Sequence, residues 1–144
     1  MMKYKFLVEQ NYKHYPVGLE DINKAQNDLD IVFPQELLDL YKNVGYGFIK
    51  GSRQNINRVM DPLSVRDFRL KQNDFEFFPD IEVYDDLEDE LIFFEANESA
   101  MISIGLSSDK LGMIFYDEFK IADSLCEFLE KIVKDDMYYI SLID

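Results

Sequence analysis

Residues 31–51 constrain the fold most, because they carry the signals of a complete helix with a defined beginning and end. Pro34 suits the first position of a helix, where a backbone N–H is not needed and the fixed φ of proline is already helical. Gly45 and Gly47 mark the end, since glycine accepts the left-handed conformation in which many helices stop. Between them, apolar side chains recur every three or four residues and predict one buried face: Leu37, Leu38, Leu40, Tyr41 and Val44.

Three other segments have helical signals of their own. Residues 20–29 have one apolar helical face and an acidic start, which suits the helix dipole. Residues 61–71 begin with an Asp-Pro pair that can cap and open a helix. Ser124 and Glu127 match a capping box at the start of the last helix, in which each side chain accepts a hydrogen bond from a free backbone N–H.

Strand formers are concentrated in the last third of the chain. We predict three antiparallel strands there, at residues 91–95, 100–104 and 111–116. Short strands are also predicted at residues 3–8 and 52–59, and turns at residues 14–18 and 117–120. Residues 137–143 are predicted as a closing edge strand, and the exposed edge at Tyr138–Ile140 could pair with a second copy of the chain.

The composition predicts one folded domain over residues 1–144. Of the 144 residues, 47% are hydrophobic and 15% aromatic, which is enough for a core that needs no disulfide or metal. Cys126 is the only cysteine, so no intrachain disulfide can form and a reducing compartment is expected. Apolar runs are too short for a signal peptide or a membrane helix, and we therefore expect a cytoplasmic protein.

Negative charge is concentrated in one segment of the chain. Residues 72–109, the acid-rich segment, contain 12 of the 29 acidic residues and none of the Lys, Arg or His residues. The segment therefore accounts for −12 of the net charge of −14. Nucleic acid and anionic membranes would be repelled by such a surface, whereas a basic protein would be attracted.

The sequence contains few residues that would support catalysis or metal binding. His14 is the only histidine, so histidine-based metal sites and catalytic triads lack their partners. Cys126 falls within the apolar stripe of the last helix and is interpreted as a small buried hydrophobe. The acidic run lacks the alternating ligands and the glycine of a calcium loop. We predict no catalytic residue, no metal site and no cofactor, although glycosidase-like carboxylate pairs and a clustered-acid metal site are the alternatives.

The order of three motifs resembles the SUKH superfamily, which includes yeast cell-wall-synthesis regulators and bacterial immunity proteins. The first is an N-terminal helix with an acidic residue, at residues 20–29. The second is a helix opened by Phe33-Pro34 and closed at Gly45 and Gly47. The third is a C-terminal signature at residues 121–125 that is followed by Phe128-Leu129. The resemblance implies an α+β fold, with N-terminal helices packed on an antiparallel β-sheet that a C-terminal helix closes.

The resemblance also implies a function, namely neutralisation of a polymorphic toxin by binding. Many such toxins are nucleases and are often basic because they bind phosphate, which the acid-rich segment would complement. We therefore predict a cognate toxin as partner, and no nucleic acid or membrane. The predicted contact residues are the acids at the centre of the segment: Asp85, Asp86, Glu88, Asp89 and Glu90.

Two alternatives remain open from the sequence. A regulatory interaction module, as in the fungal relatives, would have several endogenous partners and no toxin gene nearby. A metal-dependent or glycan-cleaving enzyme would retain metal on purification or lose turnover on a single carboxylate change. The aromatic residues are expected to be mostly core, but an exposed one beside the acids could anchor an interface.

Overall fold

The computed structural model describes residues 3–10, 12–51, 55–79, 81–84, 88–97 and 100–143. Helices within these ranges are α1 (Lys5–Gln10), α2 (Leu19–Leu29), α3 (Gln35–Asn43), α4 (Pro62–Leu70), α5 (Leu125–Lys134) and α6 (Tyr138–Ile143). Short 3-10 turns lie at Asn73–Phe75, Ile81–Tyr84 and Ser108–Lys110. Strands are β1 (Tyr12–Tyr15), β2 (Tyr46–Ile49), β3 (Arg58–Val59), β4 (Glu90–Asn97), β5 (Ala100–Gly105), β6 (Ile114–Tyr116) and β7 (Phe119–Ala122).

The strands form one antiparallel sheet in which spatial order follows chain order, from β1 to β7. The two longest strands, β4 and β5, pair at its centre, and β4 carries two register irregularities. Helices precede, interrupt and follow the strands, so the predicted α+β class is confirmed. Within the described ranges, no helix is both long enough and apolar enough to cross a bilayer.

The predicted core helices are confirmed and pack on the sheet. Leu37, Leu40 and Tyr41 of α3 are buried. Phe128 of α5 packs edge-on against Phe94 of β4, with ring centroids 5.0 Å apart. Burial of such large apolar side chains is the main favourable contribution to folding, at about 25 cal/mol per Å² of apolar surface.

Helix caps that the sequence indicates are also present. The Ser124 hydroxyl accepts a hydrogen bond from the backbone N–H of Glu127 at 3.1 Å. The Glu127 carboxylate accepts one from the backbone N–H of Asp123 at 2.9 Å, one residue before the cap. At α4, Asp61 accepts from the backbone N–H of Ser64 at 3.3 Å. Local capping chemistry therefore defines where α4 and α5 begin.

Several short elements differ from their predictions. Residues 3–8 lie in a helical turn and α1, because the buried side chains Tyr4 and Leu7 are three residues apart rather than two. The predicted turn at residues 14–18 begins inside β1. Of the predicted turn at residues 117–120, residues 117 and 118 form a turn and β7 occupies the other two. In place of the edge strand predicted at residues 137–143, the chain forms α6 (Tyr138–Ile143). There, the Tyr138 hydroxyl donates to the Ile121 carbonyl at 2.7 Å, so the predicted strand pairing with a second copy is wrong.

Gly45 is needed for a reason other than the one the sequence suggests. Helix α3 ends at Asn43, and Gly45 adopts a φ of +131° rather than the usual left-handed helical value. A Cβ atom at Gly45 would lie 1.9 Å from the carbonyl oxygen of Tyr15 in β1. The glycine therefore lets β1 approach the exit of α3, where β2 begins and pairs with β1.

Candidate protein-interaction site

The acid-rich segment begins just after the end of α4. Aromatic side chains in its N-terminal part pack against that helix. Phe75, Phe78 and Tyr84 each pack edge-on against Phe68 of α4, with ring centroids 5.0, 5.4 and 5.4 Å away. Edge-to-face packing of this kind adds to the free energy of apolar burial. The described residues around Phe75, Phe78 and Tyr84 are thus held against α4 by a defined aromatic cluster.

Eight of the segment's acidic residues belong to the described part of the chain, and they lie in different environments. Glu95 forms an ion pair with Arg58 of β3 at 3.3 Å, and both side chains are largely covered. Glu90 is buried and Asp89 is half-exposed. The other five are exposed to solvent: Asp74, Glu76, Glu82, Glu88 and Asp109.

The predicted contact residues divide in the same way. Asp85 and Asp86 lie outside the described residues. Glu88 is exposed, immediately before β4. The Asp89 side chain is 47% exposed, and its carboxylate forms an ion pair with Lys110 Nζ at 3.3 Å. Of the described members, Glu88 and Asp89 are therefore accessible to a partner.

Glu90 does not share that accessibility, which corrects its place in the predicted contact set. The residue is only 5% exposed. Its Oε1 accepts a hydrogen bond from the Ser103 hydroxyl at 2.6 Å, and its Oε2 accepts one from Lys110 Nζ at 3.1 Å. A buried carboxylate must be paired in this way, because desolvation of an unpaired charge is costly. Glu90 thus joins β4, β5 and the Ser108–Lys110 turn.

Two basic residues just outside the segment fold back onto it, which the charge distribution in the sequence does not reveal. Arg69 Nη1 donates to the Glu90 carbonyl at 2.7 Å, and Nη2 donates to the Glu88 carbonyl at 3.0 Å. Burial lowers the pKa of the Arg69 guanidinium, and the nearby Glu88 carboxylate opposes that shift. The hydrogen bond to Glu90 raises the pKa of Lys110. The only sequence signal for either residue is its position near an end of the segment, with Lys110 directly after it and Arg69 three residues before it.

A pocket of about 260 Å³ lies between α4, the Ile81–Tyr84 turn and the start of β4. Its lining combines apolar and aromatic side chains with both basic and acidic residues. These residues are Phe68, Arg69, Lys71, Ile81, Tyr84, Glu88, Glu90 and Ile92. The pocket therefore adjoins the exposed Glu88 and forms part of the same surface.

Cys126 and His14, the other candidate residues, have contacts that indicate structural roles. Cys126 donates a weak hydrogen bond to Glu130 at 3.4 Å, and burial raises the pKa of its thiol, whereas a nucleophile requires a lowered pKa. His14 stacks on Tyr12, with its Nδ1 3.2 Å from the Tyr12 carbonyl. Among the described residues, no three His, Cys, Asp or Glu side chains are grouped so that they could hold a metal ion.

Comparison with known proteins identifies relatives over nearly the whole chain. Residues 16–131 match the profile of the SMI1 / KNR4 family (SUKH-1). The chain is also 50% identical over 145 residues to a protein of Bacillus subtilis (strain 168) named Immunity protein YxxD, and the match covers 99% of each chain. The predicted family resemblance is therefore confirmed.

Proposed function

Because this chain belongs to the SMI1 / KNR4 family (SUKH-1), we propose that it is an immunity protein that binds and neutralises a cognate toxin. The observation that carries the proposal is the 50% identity to Immunity protein YxxD over 99% of both chains. At such similarity and coverage the two chains share a fold, and the exposed side chains decide which toxin each one recognises. We propose that the chain acts as a single domain in the cytoplasm. We also propose that it neutralises the toxin by binding to it.

The charge distribution of the chain supports a basic toxin as its partner. A nuclease is the most natural example of such a toxin. The acid-rich segment carries 12 acidic residues and no basic ones, while the rest of the chain is close to balance. A nuclease surface that attracts phosphate would attract these carboxylates for the same reason. Electrostatic steering of this kind raises the association rate between proteins and is weakened by salt.

We propose Glu88 and Asp89 as contact residues within the described part of the segment, and Asp85 and Asp86 from the sequence. Glu88 and Asp89 precede β4, and the guanidinium of Arg69 holds the Glu88 carbonyl at 3.0 Å. Their backbone therefore has a fixed support, which lowers the entropy lost on binding. Glu90 has a supporting role, because its hydrogen bonds to Ser103 and Lys110 hold the start of β4 in place.

Co-expression with a candidate toxin tests the proposal. The probe is the C-terminal domain of the protein encoded immediately upstream of this chain's gene. We expect that domain to arrest growth when it is expressed alone, and we expect this chain to restore growth and to co-purify with the domain. Failure to restore growth, together with capture of several endogenous proteins in place of the domain, would favour the regulatory-module alternative.

A further inference from the structure

Phe77 differs from the other aromatic residues around it because its ring faces solvent. Its exposed fraction is 89%, the largest for a large hydrophobic side chain among the described residues. Phe75, two residues earlier, is 6% exposed, and Phe78 packs on Phe68. The neighbouring rings thus pack the segment against α4, whereas the ring of Phe77 remains exposed to solvent.

The exposure of Phe77 follows from an ordered backbone. Successive turns surround it, with Phe75 N donating to Gln72 O at 3.0 Å and Glu76 N to Asn73 O at 3.2 Å. Phe78 N donates to Phe75 O and Ile81 N to Phe78 O, each at 3.3 Å. With Phe75 and Phe78 packed against Phe68 on both sides, the ring between them is directed outwards. An apolar group presented on a fixed backbone loses little conformational entropy on binding.

The surroundings of Phe77 indicate what could cover it. Asp74 and Glu76 are both exposed, and no Lys, Arg or His occurs between residues 72 and 109. A partner that buries this ring would therefore gain from positive charge that faces the carboxylates of Asp74 and Glu76. Lysine and arginine side chains satisfy both needs, because they neutralise the acids and also bind favourably over an aromatic face.

We propose that Phe77 is the aromatic anchor of the toxin interface and inserts into an apolar depression that basic residues surround on the toxin. This inference rests on the proposed function and extends it from an electrostatic attraction to a specific contact. Buried aromatic residues at the centre of an interface commonly carry much of its binding energy, while surrounding charges govern the rate of approach. Phe77 therefore determines how long the complex lasts, and the carboxylates determine how quickly it forms.

Binding kinetics of single variants test the anchor. The probe is the upstream-encoded toxin domain, inactivated by mutation and immobilised, with the full-length chain in solution. We expect Phe77→Ala to weaken binding by about 30-fold through faster dissociation, at low and high salt alike. Phe77→Tyr should bind as wild type does. The matched control is Leu142→Ala in α6, where the side chain is 55% exposed, and it should also leave binding unchanged.

The outcomes separate this inference from the proposed function. Wild-type binding that Phe77→Ala does not alter would overturn the anchor and leave the immunity function standing. Absence of wild-type binding would overturn both. A wild-type dimer that Phe77→Ala converts to a monomer would show that the ring serves self-association, against the proposal. Thermal unfolding controls for folding, because truncation of a side chain that is 89% exposed should leave the melting temperature unchanged.

Discussion

Glu36, in the first turn of α3, accepts a hydrogen bond at 3.0 Å from the backbone N–H of Leu125, the first residue of α5. The same carboxylate forms an ion pair with Lys3, just before α1. Glu36 therefore joins the two helices whose motifs carry the family resemblance, although 89 positions separate it from Leu125. One acidic side chain supplies the partner for a free N–H of a distant helix, a role that capping residues usually perform locally.

Replacement of Glu36 by alanine should lower the free energy of unfolding by about 1–3 kcal/mol, because it leaves the Leu125 N–H without its acceptor. Chemical denaturation with urea measures the change. The matched control is Asp39→Ala on the same helix, where the carboxylate accepts a hydrogen bond from the exposed Gln35 amide at 2.8 Å. The control should change stability by less than about 0.5 kcal/mol. Equal effects of the two variants would contradict the proposed bridge.

The double variant Glu88→Gln/Asp89→Asn should slow association with the upstream-encoded toxin domain by roughly two- to tenfold at low salt, with a smaller effect at high salt. The dissociation rate should change less, because exposed charges act mainly on the approach. Glu118→Gln, an exposed acid in the turn between β6 and β7, is the matched control. An association rate that neither the variant nor salt alters would refute electrostatic steering.

Glu90→Gln should lower the stability of the folded chain and should not slow its association with the toxin domain. The amide keeps an acceptor for the Ser103 hydroxyl but loses the ion pair with Lys110. Because the site is buried, we expect a loss of about 1–3 kcal/mol in the free energy of unfolding. Glu88→Gln serves as the comparison and should be close to neutral in the same denaturation experiment. Similar small effects at both positions would argue against the supporting role of Glu90.

The stability contributed by Glu127 should depend on pH in the acid range. The hydrogen bond from Lys131, and then that from the Asp123 backbone, lower the pKa of Glu127 below its ordinary value of 4.5. A lowered folded-state pKa contributes stability that is present above the unfolded-state pKa and lost as the pH falls through the folded-state value. Glu127→Gln should therefore be less stable than wild type near neutrality, by no more than about 1 kcal/mol since the pair is partly exposed.

Denaturation curves of wild type and Glu127→Gln at several pH values measure this dependence. The two curves should converge well below the ordinary glutamate pKa of 4.5, where the wild-type side chain is also neutral. Glu20→Gln in the first turn of α2 is the control for a general effect of charge at a helix start. A difference that persists unchanged into acid would contradict the assignment.

Gly45→Ala should be strongly destabilising, by about 2–4 kcal/mol, because the new Cβ would lie 1.9 Å from the Tyr15 carbonyl and the residue would have a positive φ. Gly18→Ala provides the contrast, since its Cβ would meet nothing within 4 Å. That variant should be close to neutral, because the reduced entropy of the unfolded chain is offset by the lower preference for alanine at the N-cap of α2. Thermal and urea unfolding of both proteins test the difference.

Elements with local start signals could be predicted from the sequence, and those determined by tertiary packing could not. Proline and capping side chains mark α3, α4 and α5, so their positions were evident. Helix α6 is rich in strand formers, yet the burial of Tyr139 and the Tyr138–Ile121 hydrogen bond favour a helix there. Strand β7 has no strand signal in the sequence, because its burial does not alternate along the strand.

The candidate site shows the same limit. The concentration of acids is a property of the sequence and was visible at once. Burial of Glu90 was not, because it depends on Ser103 in the neighbouring strand and on Lys110 in the following turn. Nor could sequence alone distinguish Phe77 from Phe75 and Phe78, since their roles differ only through which rings reach Phe68 of α4.

The order of the sheet has a consequence for how the protein is made. Each strand pairs with the strand that comes next in chain order, although α2 and α3 separate β1 from β2, and α4 separates β3 from β4. Short connections join the strands from β4 to β7. Short sequence separation between contacting elements lowers the entropy of loop closure and favours rapid folding. During translation, β1 to β5 can pair in the order in which they emerge. The acid-rich segment lies wholly between β3 and β6 in the chain and contains β4 and β5. It can thus pair its own strands with each other and with β3 on the ribosome before α5 and α6 have been synthesised.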